Sequence, residues 1–157
     1  MPRSDQVSAA EAQVLQDAIE KAIAAHRSSG RTGIAAAIMR GDTLVGLAEN
    51  AVFQDCDPTR HAEIVVMGKA AAQLGTTDLS GCTLISTLQP CEMCLAAMRF
   101  AGITRVIFAA QQANVGSKYF MFPKLTITDF QAAGEGFTHI GGVSEQDVLY
   151  LYADGEE

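Results

Sequence analysis

His61, Cys91 and Cys94 are residue types that ligate borderline metals. The two cysteines form Cys-x-x-Cys directly after Pro90, and Glu63 follows His61 by two positions. Three protein ligands plus one open position for water is the count of a catalytic zinc, whereas a structural zinc is closed by four. Cysteines three apart on a helix share a face, so both sulfurs can reach one ion, and a helix N-terminus favours their thiolate forms. Glu63 is close enough to enter such a site without ligating, which suits a proton shuttle. Zinc can lower the pKa of bound water to about 7, and a neighbouring carboxylate can accept the proton and return it. A structural site would need a fourth ligand, for which Cys56 and Cys82 are the candidates. Cys82 opens a predicted strand and reads as a small core residue, while Cys56 reads either as an ordinary loop thiol or as a pocket-lining group. His26 and His139 have no companion ligand motif and read as structural.

The elements that must position these residues are visible in the hydrophobic pattern. Ser8-Ala-Ala-Glu11 has capping-box spacing, and Val14, Leu15, Ala18, Ile19, Ala22 and Ile23 recur at helical period up to Gly30. Residues 33–39 and 43–47 flank Arg40-Gly41-Asp42 and predict a hairpin, followed by a loop over 50–60. Residues 61–74, rich in Ala, Ile, Val and Met, predict a buried helix stopped by Gly75. A strand over 82–88, a helix over 91–101 headed by Pro90, and a strand over 106–110 complete a β-α-β-α-β order, hence a layered α/β sheet. Beyond Gln111 the pattern is weaker, with a short strand expected in 138–143 and a closing helix in 144–152.

The bulk composition narrows the function classes. The 157 residues are 48% hydrophobic and 18% charged, as expected for one compact domain spanning 1–157. No apolar run approaches the length of a membrane span, which takes roughly 20 residues. Met1-Pro2-Arg3-Ser4-Asp5 lacks a signal-peptide pattern, so a cytoplasmic protein is expected. Four cysteines without a secretion signal argue against a disulfide framework. A formal net charge of −7, with 11 basic residues scattered along the chain, counts against a nucleic-acid partner and favours a small substrate.

The strings His61-Ala62-Glu63 and Pro90-Cys91-Glu92-Met93-Cys94 match the H-x-E and P-C-x-x-C signature of zinc nucleobase deaminases. The chain resembles the cytidine deaminase-like superfamily. Asp57-Pro58-Thr59-Arg60-His61-Ala62-Glu63 is most similar to its guanine deaminase and tRNA adenosine deaminase branches. Thr87-Leu88-Gln89-Pro90-Cys91 and Cys94-Leu95-Ala96-Ala97-Met98 extend the likeness, which runs from Ile34 to Ala110.

The resemblance implies an α/β fold, a three-layer α/β/α sandwich on a mixed sheet of roughly five strands. It also implies one Zn2+ per chain, hydrolytic loss of an exocyclic amino group from a nucleobase or related heterocycle, and a homodimer. Carried to matching positions, Asn50 would hydrogen-bond the ring, the Ala62 amide would bind a ring carbonyl, and the Gln89 main chain would face the departing amine. Gln89 stands where Glu or Ser is expected, and Gly33-Ile34 lacks the usual proline before the first strand. Tyr119-Phe120-Met121-Phe122 and the ending Tyr150 to Asp154 read either as core and subunit contact or as a lid. In the lid reading Phe120, Tyr152 and Asp154 touch the ring, and Asn114 is a gate residue. A free base, guanine or cytosine, is the expected substrate. A tRNA adenosine deaminase and a non-enzymatic zinc domain are the rival readings.

Overall fold

The computed structural model describes residues 6–153, so Asp154 lies outside the described residues. Helix α1 (Ala9–Ser29) starts at a complete capping box: Ser8 Oγ accepts the Glu11 N–H, and the Glu11 carboxylate accepts the Ser8 N–H. It stops at Gly30, whose φ is 71°. That is the left-handed conformation, which glycine adopts without a Cβ penalty. The hairpin of β1 (Ala35–Arg40) and β2 (Thr43–Glu49) follows, then α2 (Ala62–Leu74), β3 (Cys82–Leu88), α3 (Glu92–Phe100) and β4 (Arg105–Ala110). The chain closes with α4 (Ile127–Ala132), β5 (Thr138–Ile140) and α5 (Leu149–Tyr152).

The five strands form one mixed sheet in the order β2-β1-β3-β4-β5, with β1 antiparallel to both neighbours and β3, β4 and β5 mutually parallel. Period-two alternation divides the core between its faces. Ala36 and Ile38 of β1 pack with Leu84, Val106 and Phe108 against Val65, Val66, Leu95 and Met98 of α2 and α3. Ala35, Ala37 and Met39 face the other way, with Ile85 and Ile107, onto Leu15, Ala18 and Ile19 of α1 and Leu151 and Tyr152 of α5. Both sheet faces are therefore covered, which is the expected α/β/α layering.

Beyond β4 the structure departs from the sequence expectation. The helix expected over 144–152 is a 3-10 turn at Glu145–Asp147 followed by the single turn α5, because Ser144 sits at φ 55° and Val148 at φ −127°. The Glu145 carboxylate at this break accepts hydrogen bonds from the Gln111 N–H at 2.9 Å and the Asn114 side chain at 3.0 Å. Helix α4 is an addition. Its signal is a second capping box, Thr126 with Asp129, inside a stretch of otherwise weak pattern.

Gly33 explains one departure from the superfamily pattern. A Cβ there would sit 1.8 Å from the carbonyl oxygen of Ala22 in α1, so the chain can enter β1 only without a side chain. The obstacle is backbone. Gly33→Ala is expected to lower unfolding free energy by about 1–3 kcal/mol or more, the cost of overpacking, measured by urea denaturation.

Candidate active site

The site lies where β3 ends and two helices begin. His61 is the N-cap residue of α2, and Cys91 is the N-cap residue of α3, both with extended backbone and neither using its side chain to cap. Cys94 is in the first turn of α3. The contact between α2 and α3 brings the three ligand atoms together: Cys91 Sγ is 3.5 Å from His61 Nδ1, Cys94 Sγ is 3.6 Å from it, and the sulfurs are 3.7 Å apart. A tetrahedral ion with Zn–S of about 2.3 Å and Zn–N of about 2.0 Å spaces its ligand atoms about 3.5–3.8 Å apart, so the donor set fits zinc in type and in spacing.

Among the described residues these three form the ligand cluster. Cys82 is buried in the core beneath α2, and Cys56 is exposed in the loop before His61. Neither joins the cluster, so among the described residues it has three members. His26 accompanies the end of α1, its Nδ1 2.6 Å from the Arg31 carbonyl oxygen, and His139 lies in β5 beside Phe137.

Without metal the two thiols behave oppositely. Cys91 is drawn down to about 4, first by its hydrogen bond with the Cys94 sulfur and then by His61. Cys94 is pushed up first by its hydrogen bond with Cys91 and then by burial. His61 is raised by its hydrogen bond with Cys91. The first proton of the pair is thus lost easily and the second is held.

Glu63, 4% exposed, stands beside the cluster on the first turn of α2. Its Oε1 accepts the Ser86 hydroxyl at 2.7 Å and its Oε2 lies 3.2 Å from Cys94 Sγ. Burial pushes the Glu63 carboxyl above the usual carboxylate range, as suits a group that must both take and return a proton near neutrality. Ser86 and Thr87 show how β3 serves both faces. Ser86 points to the metal side, and Thr87 points to the α1 side, where its Oγ1 lies 2.8 Å from the Tyr152 hydroxyl.

A cavity of about 600 Å3 opens onto His61, Glu63 and Cys91. Asn50 and Gln89 are among its lining residues. Asn50 Oδ1 accepts the Val52 N–H at 2.9 Å, which leaves its NH2 end as the available donor. The Gln89 side chain is engaged with Gln112, its Oε1 accepting the Gln112 N–H at 3.0 Å. Ala62 is buried at the head of α2, between ligand and shuttle, where first-turn amides have no helical acceptor.

Other expected contacts lie elsewhere. Asn114 is exposed and tied to Glu145, outside the cavity lining. Phe120 is buried, and it is Tyr119, Met121 and Phe122 around it that line the cavity. Tyr152 is fully buried on the α1 side of the sheet, where its hydroxyl donates to the Gly33 carbonyl at 2.7 Å and its ring meets Tyr119 edge-on. It braces the cavity wall from behind. Tyr152→Phe should therefore cost about 1–2 kcal/mol of stability, the scale of a buried hydrogen bond, with zinc content unchanged; denaturation and metal analysis check both.

Sequence reasoning missed Ser86 and the rim pair Arg31 and Phe53. Ser86 could have been found from strand alternation, because it directly follows Ile85, which faces α1. The guanidinium of Arg31 lies 3.6 Å from the centre of the Phe53 ring, and both side chains line the cavity. No local pattern links those two positions.

The model of the cytidine and deoxycytidylate deaminase zinc-binding region matches residues 9–110. Among curated proteins, a tRNA-specific adenosine deaminase of Aquifex aeolicus is 36% identical over 59% of this chain and 62% of its own length. A guanine deaminase of Bacillus subtilis is 33% identical over 54% of each chain. A tRNA(Ile)-lysidine synthase of Deinococcus deserti is 42% identical over 49% of this chain but only 14% of its own length. The chain thus spans less than two thirds of the length of each of these relatives. The solved guanine deaminase of Nitrosomonas europaea superposes with a TM-score of 0.78 over 96% of this chain and 91% of its own, at 23% identity, a likeness of fold.

Proposed function

The chain belongs to the cytidine and deoxycytidylate deaminase zinc-binding family, and from that premise we propose that it is a zinc-dependent hydrolytic deaminase acting on a free aminated base, guanine or cytosine. The observation that carries this reading is the buried Glu63 carboxyl, held by Ser86 beside the three-ligand cluster and facing a cavity. His61, Cys91 and Cys94 would hold the ion. Zinc bound there supplies a Lewis acid that lowers the pKa of a coordinated water.

The rest is done by side chains of this chain. Ser86 fixes the Glu63 carboxyl so that one oxygen faces the reacting groups, where it takes the proton of the attacking water. Glu63 passes that proton to the ring nitrogen, then takes the second proton of the added water from the new hydroxyl and gives it to the departing amine, so that the carbonyl forms and ammonia leaves as a neutral molecule. The Asn50 amide donates to the ring edge, and the Ala62 N–H meets a ring carbonyl. Tyr119, Met121 and Phe122 supply the apolar wall that a flat heterocycle needs.

Charge favours a small substrate over an anticodon loop. Of the described residues lining the cavity, Arg31 and Lys118 are cationic, while Glu49, Glu63 and Glu92 are acidic, in a chain of net charge −7. A polyanion gains its affinity from a continuous basic surface. Similarity to a tRNA-specific adenosine deaminase supports the rival reading, in which the same chemistry acts on an adenosine within an anticodon stem-loop. Ammonia release is to be assayed with the zinc-loaded protein on guanine, cytosine and an anticodon stem-loop. Turnover of a free base is expected; turnover of the stem-loop alone would transfer the assignment to the tRNA reading. The family likeness further suggests a homodimer, which light scattering on the purified protein tests.

A further inference from the structure

We propose that Glu92 is a positioning residue for substrate, a latch that holds the aromatic wall of the cavity at a set distance from the ligand helix. Glu92 directly follows the ligand Cys91 and opens α3, yet its carboxylate is not used to cap that helix. It reaches across the cavity rim. Its Oε1 accepts the Phe122 N–H at 3.0 Å and its Oε2 accepts the Met121 N–H at 3.3 Å. Two successive backbone amides from a remote segment thus converge on one side chain.

The wall is weakly held by packing. Met121 is 71% and Phe122 59% exposed although both line the cavity, and within 120–122 only Phe120 is buried. The segment follows the 3-10 turn Ser117–Tyr119, so no helix or strand ladder fixes 120–122. A carboxylate accepting two amides makes charge-assisted hydrogen bonds, which are stronger than neutral ones. The spacing between the wall and the metal ligands is therefore set largely by Glu92, and a planar ring entering between them is clamped or loose according to this one side chain.

This inference rests on the proposed deaminase function, so its test carries an arm independent of turnover. Full-chain, zinc-loaded Glu92→Ala and Glu92→Gln are compared with the parent protein by metal analysis, by amide hydrogen exchange, and by KM and kcat for guanine or cytosine. With one zinc retained per chain, exchange at Met121 and Phe122 should accelerate about tenfold in Glu92→Ala, while the amide of Leu95 in α3 is unaffected. KM should rise by about tenfold with kcat changed less than about threefold, the pattern of lost positioning. Glu92→Gln keeps one acceptor oxygen and should fall between the two. A purely structural role at the head of α3 would lower stability and speed exchange in α3 with KM unmoved, and that result overturns the proposal, as does unchanged exchange at residues 121 and 122. If the parent protein turns over neither base, the proposed substrate fails, and the exchange arm alone decides the latch.

Discussion

Glu63→Gln is expected to yield a folded, zinc-loaded protein whose kcat falls by about 10²–10⁴, the contribution of a positioned acid-base group. Glutamine keeps the shape and can still accept the Ser86 hydroxyl where Glu63 Oε1 does now at 2.7 Å. It cannot carry a proton. Loss of turnover with retained metal therefore separates the shuttle from the ligands. Stability supplies a second readout of opposite sign. Burial raises the Glu63 carboxyl in the metal-free fold, so its folded pKa lies above an unfolded value of about 4.3. The carboxyl contributes its stability while protonated, below the unfolded pKa, and that contribution is lost as pH rises through the folded value. Glutamine stays neutral throughout. The metal-free variant should accordingly be at least as stable as the parent at about pH 8, with its relative advantage shrinking toward about pH 4, as followed by urea denaturation across that range. A variant that loses zinc or unfolds would return Glu63 to a structural role.

Cys94→Ala is expected to abolish both zinc retention and turnover. Cys94 is fully buried and is one of the three residues that would hold the ion. Loss of a partner outside the ligand shell already costs about 10–100-fold in affinity, and loss of a ligand should exceed that. Zinc stabilises the folded chain by mass action, so the rise in melting temperature that zinc gives the parent protein should vanish in the variant. Stripping zinc from the parent with a chelator should mimic the variant, and zinc added back should restore activity to the parent alone.

The thiol asymmetry gives the same site a pH signature. The Cys91 thiol is drawn down to about 4 and the Cys94 thiol is pushed up, so the Cys94 proton is the harder one to remove. Zinc must displace at least that proton. Its affinity should fall as pH falls, and binding to metal-free protein near neutrality should release at least about one proton, measurable by calorimetry in buffers of different ionisation enthalpy. Pure metal uptake with no proton release would contradict the assignment of Cys94 as ligand.

The parts of this site that were legible in the sequence are those set by short spacings. Cys91-x-x-Cys94 lies within one helical turn, so helix geometry places both sulfurs on one face, and His61-x-Glu63 puts an N-cap imidazole and a first-turn carboxyl at the same helix end. The elements up to β4 were legible for the same reason, because capping box, period and glycine stop are local. Asn114, Phe120 and Tyr152 show where that reasoning ends. The lid reading puts Phe120 and Tyr152 on the ring and Asn114 at a gate, and the core reading buries the aromatics; in the structure Asn114 is bound to Glu145, Phe120 is buried beside its wall-forming neighbours, and Tyr152 lies behind the sheet against Gly33 and Thr87. Nothing local tells an aromatic residue of a wall from one that braces it.

By itself, then, the sequence singled out the candidate ligand set, the proposed shuttle and the layered α/β order, because each follows from spacings of a few residues. Only the tertiary structure decided that β3 sends Ser86 to Glu63 and Thr87 to Tyr152, that Gly33 must yield to the Ala22 carbonyl, and that Glu92 meets Met121 and Phe122. These are contacts between segments remote in the chain. They depend on strand register and on which face of the sheet each helix covers, and both are settled when the whole core packs rather than by any one stretch of residues.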